Sequence, residues 1–102
     1  MNNDGNYQWD ENKRRAALQK HGLDFLDAVE VFETNYLLLS GRSDIETREI
    51  AIGYVNETYL AAVFTMRGET IRIITVRKAR RDEREAYDAY VARRDTQDEE
   101  PN

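Results

Sequence analysis

The stretch Glu69–Lys78 constrains the fold of this chain most, because its apolar residues fall on both faces of an extended strand. Strict alternation places Ile71 and Ile73 on one face and Ile74 and Val76 on the other. A strand that is apolar on both faces is typical of the interior of a sheet that is covered on both sides. The stretch therefore predicts an inner strand.

Turn residues before this strand delimit its neighbours. Arg67-Gly68 and Asn56-Glu57 are both typical of tight turns. Apolar runs bounded by such turns predict strands at Arg48–Val55 and Tyr59–Met66, and a strand or an extended arm at Tyr36–Leu39. The polar stretch Ser40–Thr47 is expected to be an exposed loop. Because the connections are short, the strands should form an antiparallel meander.

Capping residues predict two helices before the sheet and one after it. Asp10 is suited to begin a helix that runs to His21 and ends at Gly22. Asp24 is suited to begin a second helix, and the segment Ala79–Arg94 returns to helical spacing. The element order predicts the α+β class, with a small antiparallel sheet, two N-terminal helices and one C-terminal helix.

The chain has 102 residues and is expected to form one domain at residues 9–94. We expect residues 1–8 to be a flexible N-terminus and residues 95–102 to be a disordered acidic tail without apolar side chains. No signal-peptide pattern and no run of membrane-spanning length is found, so we expect a cytoplasmic protein. With no cysteine and one histidine, we expect neither a metal nor a cofactor.

The distribution of charge leaves nucleic acid open as a ligand. The net charge is −5, yet the segment Arg72–Arg94 contains eight bases against four acids. A locally basic surface can bind a phosphate backbone whatever the sign of the whole molecule. The acidic isoelectric point therefore excludes no RNA-binding function.

Three stretches, in a fixed order, are similar to the BrnT family of bacterial toxins. They are Trp9–Ala16 followed by Lys20–Phe25, then Arg48–Gly53, then Arg67–Ala79 leading into Arg84–Tyr87. After the third stretch, Arg80 stands where the family commonly has a small hydroxyl residue, which is a natural helix N-cap. The resemblance covers the chain from about Trp9 to Tyr87.

The resemblance implies a RelE-like fold and an endoribonuclease that cleaves RNA and inhibits translation. It implies that a BrnA-type antitoxin neutralises the toxin in a hetero-oligomer. It further implies that the pair reaches operator DNA only through the antitoxin, with no membrane partner. The alternative is a weakly active or inactive homologue that acts mainly as a partner-binding module in operon autorepression.

Metal-independent RNA cleavage requires a deprotonated 2′-hydroxyl, a stabilised phosphorane and a proton for the leaving 5′-oxygen. Arginine and lysine can bind the phosphorane, and histidine can transfer protons near neutral pH. The candidate catalytic residues are Arg77, Lys78, Arg72 and His21. The candidate substrate-binding residues are Arg67, Tyr87, Lys13 and Arg84. Strict alternation predicts Arg72 and Lys78 on one face of the strand and Arg77 on the other.

Each candidate also has a purely structural interpretation. The cations could be solvated charges at a sheet edge, and His21 could interact with the dipole at a helix C-terminus. Tyr87 has the spacing of a packed residue. Glu83 could act as a base only if an arginine holds it near the phosphate, and a surface ion pair is the simpler expectation. The Arg77 guanidinium is expected to lie outside the core.

Overall fold

A computed structural model describes residues 6–40 and 48–98 of the chain. Its elements are β1 Tyr7–Trp9, α1 Glu11–His21, α2 Phe25–Phe32, β2 Leu37–Ser40, β3 Glu49–Val55, β4 Thr58–Arg67, β5 Thr70–Lys78 and α3 Arg81–Asp98. The α+β class and the positions of the three helices are confirmed. The loop expected at Ser40–Thr47 lies outside the described residues except for Ser40, which ends β2. None of the helices described is long and apolar enough to cross a membrane.

Both N-terminal helices begin at the expected caps. The Asp10 side chain accepts hydrogen bonds from the backbone amides of Asn12 and Lys13, and α1 ends at Gly22 in the left-handed conformation with φ of 70°. Asp24 and Asp27 form a reciprocal capping box at the start of α2. Arg14 joins the two helices, since its Nε and Nη2 donate to the Asp24 carboxylate at 2.8 and 3.0 Å. Local capping chemistry therefore sets the helix boundaries.

The five strands form one sheet in the order β1-β5-β4-β3-β2. Strand β5 lies between β1 and β4, so the prediction of an inner strand is confirmed. The pairing of β1 with β5 is parallel, whereas the other pairings are antiparallel. Strand β1 was not predicted, because three residues are too few to display alternation. It also shows that Tyr7 and Gln8, which were expected to be flexible, are paired in the sheet.

A β-bulge changes which residues of β5 share a face. Phe64 of β4 lies opposite Ile73, but the next β4 residue, Val63, lies opposite Thr75. Ile74 is the extra residue, so alternation reverses at this point. Because directly opposed residues point to the same side, Arg72 and Thr75 lie on the same face as Arg77. The prediction that Arg72 and Lys78 share a face opposite to Arg77 is therefore wrong.

The first face of the sheet carries the main core. Helices α1 and α2 pack here, and the buried apolar cluster joins Trp9, Ala17, Phe25, Ala28, Val29 and Val31 to Ala51, Val55, Leu60, Ala62, Phe64, Ile73 and Val76. Gly53 allows the close approach of α2, because a Cβ at this position would lie 3.0 Å from Val31 Cγ1. The two N-terminal helices thus cover one face, as expected.

Helix α3 lies on the second face. Its Tyr87 packs edge-on against Tyr59 of β4, with ring centroids 5.9 Å apart. The Tyr59 hydroxyl donates to Asp88 at 2.9 Å. The helix was predicted over Ala79–Arg94 but continues to Asp98, four residues into the segment expected to be disordered. The domain limits at residues 9 and 94 stay a prediction, and residues 1–5 and 99–102 lie outside the described residues.

Candidate active site

Two open hollows meet at the second face and the adjacent sheet edge. The larger has a volume of about 560 Å³ and is lined by Leu39, Ser40, Arg48, Ile50, Val63, Thr75, Arg77, Arg80, Asp82 and Glu83. The smaller has a volume of about 300 Å³ and is lined by Lys13, Ala16, Ala17, Lys20, His21, Arg48, Ile74 and Thr75. Because Arg48 and Thr75 line both, these two residues form the boundary between the hollows. We call the two hollows together the basic groove, after Lys13, Lys20, His21, Arg48, Arg77 and Arg80.

A nearly buried ion pair forms one wall of the larger hollow. Arg77 Nη1 and Nη2 donate to the two carboxylate oxygens of Glu83 at 2.8 and 2.9 Å. The Arg77 and Glu83 side chains retain only 17% and 7% of their exposure. The hydrogen bonds from Arg77 hold the pKa of Glu83 below its ordinary value, and those to Glu83 raise the pKa of Arg77. Both groups are therefore charged throughout the neutral range.

Glu83 also begins helix α3. Its Oε1 accepts a hydrogen bond from the backbone amide of Arg80 at 2.7 Å, which is one half of a capping box. Arg80 has no side-chain oxygen with which to cap the helix, and the Glu83 carboxylate satisfies the Arg80 amide instead. The same carboxylate thus ties the end of β5 to the first turn of α3.

This arrangement revises two expectations about the site. The Arg77 guanidinium was expected outside the core, yet most of it is buried against Glu83. The Glu83 ion pair was expected at the surface, yet Glu83 is buried, with 6% exposure. An arginine does hold the Glu83 carboxylate, but both oxygens accept hydrogen bonds and its pKa is lowered. Glu83 is consequently a poor proton acceptor.

The smaller hollow brings together two of the other candidates. Lys13 and His21 lie on α1 and are exposed. His21 is the last residue of that helix, with Lys20 before it in the same turn. The tertiary fold thus places an imidazole and two lysines on one side of Arg48 and Thr75, with Arg77 on the other side.

Two of the four candidate catalytic residues lie outside the groove. Arg72 shares the face of Arg77, but its Nη1 donates to Gln8 Oε1 of β1 at 3.3 Å and it lines neither hollow. Lys78 is exposed at the end of β5, opposite Leu60 on the core side of the sheet. Neither faces the boundary formed by Arg48 and Thr75.

Three of the substrate-binding candidates also lie elsewhere. Arg67 ends β4 at the hairpin, six residues along that strand from the partner of Arg77, which is a distance of about 20 Å. Tyr87 packs against Tyr59, and burial raises the pKa of the Tyr87 hydroxyl. Arg84 lines a separate hollow of about 230 Å³ with Tyr59 and Asp88. Lys13 is the one substrate-binding candidate that lines the groove.

The groove also contains polar and charged residues that were not among the candidates, including Lys20, Arg48, Thr75 and Arg80. Thr75 precedes Arg77 by two residues on the same strand, and alternation alone would have indicated a shared face. Arg48 opens the second family-like stretch, but nothing local indicates that it lies near α1. Within residues 6–40 and 48–98, no three His, Asp or Glu side chains converge in a way that could hold a metal ion.

Comparison with known proteins agrees with the resemblance. A family model described as the ribonuclease toxin BrnT of type II toxin–antitoxin systems matches residues 9–83. The match begins at Trp9, the last residue of β1, and ends at Glu83, so it includes strands β2 to β5 and the ion pair that begins α3. No curated protein matches the chain.

Proposed function

This chain belongs to the BrnT family of ribonuclease toxins, and we propose that it cleaves RNA in the basic groove. The observation that carries the proposal is the meeting of cations from three separate elements around Arg48 and Thr75. Lys13 and Lys20 come from α1, Arg77 from β5, and Arg80 from the start of α3. Sequence-distant cations that converge on one concave surface are typical of a phosphate-binding site.

The charge balance of the groove supports a polyanionic substrate. Glu83 is neutralised by its ion pair with Arg77, which leaves Asp82 as the remaining acid among the lining residues that the structure describes. The other charged lining residues are Lys13, Lys20, Arg48 and Arg80. A basic surface in a molecule of net charge −5 would attract RNA locally.

The proposed reaction is metal-independent transesterification. The 2′-oxygen attacks the adjacent phosphorus, the bond from phosphorus to the 5′-oxygen breaks, and the products are a 2′,3′-cyclic phosphate and a 5′-hydroxyl. One proton leaves the 2′-hydroxyl and one is delivered to the 5′-oxygen. His21 lines the groove and would transfer one of these protons, and Arg48 and Lys20, which line the same hollow, would bind the negatively charged phosphorane.

Kinetics of the purified chain on an unstructured RNA, in the presence of a metal chelator, test this proposal. His21→Gln should lower kcat by a factor on the order of 100, because proton transfer of this kind contributes about that much. Arg80→Gln should raise KM, because it removes a phosphate contact while the Arg80 backbone amide still bonds Glu83. Arg81→Gln is the matched control, since Arg81 is 85% exposed and lines neither hollow.

The result that would overturn the proposal is an absence of cleavage by the wild-type chain, or equal cleavage by Arg80→Gln and Arg81→Gln. A chain that binds its antitoxin tightly but cuts no RNA would act as a partner-binding module in operon autorepression. Growth arrest and RNA loss after expression of the toxin alone would separate these two functions in the cell.

We further propose that the partner is a BrnA-type antitoxin whose toxin-binding segment covers the basic groove. A type II toxin that cuts RNA must be held inactive until its antitoxin is lost, and an occluding segment with acidic side chains suits a groove of this charge. Translation would stop when the released toxin cuts RNA, and operator DNA would be contacted through the antitoxin. Co-expression with the adjacent small reading frame should give a hetero-oligomer that cuts no RNA.

A further inference from the structure

Thr75 follows the bulge in β5 and lines both hollows. This position indicates a role for its hydroxyl in the reaction. We propose that Thr75 Oγ1 donates a hydrogen bond to the scissile phosphate. The two nucleosides that flank this phosphate then lie one in each hollow. This assignment rests on the proposed ribonuclease function and specifies where in the groove the RNA is cut.

Thr75 lies at the one place where both hollows can be reached from a single side chain of β5. It is half-buried and lines the larger and the smaller hollow alike. Among the hydrogen bonds of residues 6–40 and 48–98, none involves the Thr75 side chain, whereas the Thr34 hydroxyl donates to Val31 and the Thr58 hydroxyl to Asn56. The Thr75 hydroxyl is thus available to a substrate.

The bulge fixes the direction of this hydroxyl. Ile74 is the extra residue, so Thr75 lies opposite Val63 and returns to the face of Arg77, which lies opposite Ala61. Ile74 itself lines the smaller hollow beside Ala16 and Ala17 of α1. Bulges often redirect a side chain beside an active site, and a side chain on an inner strand is held more firmly than one on a loop.

The sizes of the hollows suit a nucleoside on each side of Thr75. Their volumes of about 560 and 300 Å³ lie within the range of small-ligand sites, roughly 300–1,000 Å³. An RNA strand that occupies both must carry its connecting phosphate across the boundary, where the Arg48 side chain also lies. Thr75 donates a hydrogen bond to a nonbridging oxygen there and keeps its own proton, so the transesterification stays balanced as written above.

Three variants of β5 test the assignment by cleavage of a single-stranded RNA of mixed sequence. Thr75→Val keeps the shape and the β-branch but removes the hydroxyl, and it should lower kcat/KM by about 10- to 100-fold, the usual effect of losing a hydrogen bond to a charged group. Thr75→Ser should retain most of the activity. Thr70→Val is the matched control, because Thr70 begins the same strand at the hairpin and lines neither hollow.

A sulfur substitution in the substrate separates a direct contact from a change in shape. Replacing one of the two nonbridging oxygens at the cut site with sulfur weakens a hydrogen bond to that oxygen. One of the two stereoisomers should therefore slow the wild-type chain more than it slows Thr75→Val. The Tm of each variant is measured alongside the kinetics. If the Tm of Thr75→Val is lower than that of the wild type, the activity of Thr75→Ser tests the assignment instead.

The outcomes are distinct for the two proposals. If the wild-type chain cuts RNA and Thr75→Val cuts it equally fast, the Thr75 assignment is overturned while the ribonuclease function stands. Equal sulfur effects in both proteins overturn a contact with a nonbridging oxygen. If the wild-type chain cuts no RNA, the proposed function fails, and the Thr75 assignment fails with it.

Discussion

At the scale of single residues, the ion pair between Arg77 and Glu83 both stabilises the fold and forms part of the groove. The Glu83 carboxylate accepts two hydrogen bonds from Arg77 and one from the Arg80 amide. The pair therefore holds together the end of β5, the start of α3 and one wall of the larger hollow. Removing either charge should lower the free energy of unfolding more than it changes RNA cleavage directly. The remaining charge would be nearly buried without its partner.

Replacement of Arg77 by Ala should lower the free energy of unfolding by about 3 kcal/mol, the usual cost of breaking a buried pair. For a domain of this size, that corresponds to a fall in Tm of roughly 10–20 °C, measurable by circular dichroism. The double variant Arg77→Met, Glu83→Gln is the control, since it removes both charges and keeps an acceptor for the Arg80 amide. It should regain most of the lost stability, and a single variant as stable as the wild type would contradict the role of the pair.

Acid should weaken the same pair. The pKa of Glu83 is lowered in the folded chain from its ordinary value of 4.5, mainly by hydrogen bonds from Arg77. A lowered folded pKa stabilises the protein above the unfolded pKa, and this contribution is lost as the pH falls below about 4.5 and through the folded pKa. Glu83→Gln has no such titration, so its stability deficit should shrink between pH 7 and pH 3 in urea unfolding. A deficit that is constant with pH would count against the ion pair.

At the scale of elements, three features decide the shape of the site. Strand β1 pairs with β5 only over Tyr7–Trp9, and the chain then continues into α1, whose last turn lies beside β5. The bulge at Ile74 brings Thr75 and Arg77 to the face of the groove. Helix α3 starts at the groove and extends to Asp98. The site is consequently assembled from element ends rather than from one local motif.

The last turn of α3 should contribute little to stability. It contains no base, and acids near a helix C-terminus interact unfavourably with the helix dipole. Ending the chain after Arg94 keeps the contact between the Arg94 guanidinium and the Tyr90 ring, which lie 5.8 Å apart. The Tm of the truncated chain should stay within about 2 °C of the wild type, as for most surface changes. A drop of several degrees would indicate that the tail packs on the domain.

At the scale of the whole molecule, the separation of charge matters more than its sum. The net charge of −5 would repel RNA if it were spread evenly, but lysines and arginines from distant parts of the chain line one groove. If RNA binds there as proposed, the attraction acts over a short range and depends strongly on ionic strength. We propose the same surface as the binding site of the antitoxin.

RNA binding should therefore weaken steeply with salt. If about four cations contact phosphates of a single strand, the logarithm of the binding constant should fall with a slope of about −3 against the logarithm of salt concentration. His21→Gln keeps these cations and is expected to slow cleavage, which makes it suitable for fluorescence-anisotropy titrations. Adding Arg80→Gln should reduce the slope by about 0.7, whereas adding Arg81→Gln should leave it unchanged. Equal slopes in the two double variants would place the RNA elsewhere.

The sequence by itself determined the parts of this protein that depend on near neighbours. Capping and alternation act over a few residues, so local sequence was enough to predict several features. These are the helix caps at Asp10 and Asp24, the helix end at Gly22 and the apolar run of β5. These signals gave the fold class, the helices and an inner strand. The BrnT resemblance added the family, which the match over residues 9–83 confirms.

Only the tertiary structure decided which of the candidate residues meet. Arg77, His21 and Lys13 line one groove, whereas Arg72, Lys78, Arg67, Tyr87 and Arg84 do not. The bulge in the pairing of β4 with β5 decides which β5 side chains face the groove. The parallel pairing of β1 with β5, between residues 64 positions apart in the chain, decides where α1 lies. The burial of Arg77 against Glu83 depends likewise on where α3 begins. Such placements arise from packing between distant segments, and alternation along one strand contains no information about them.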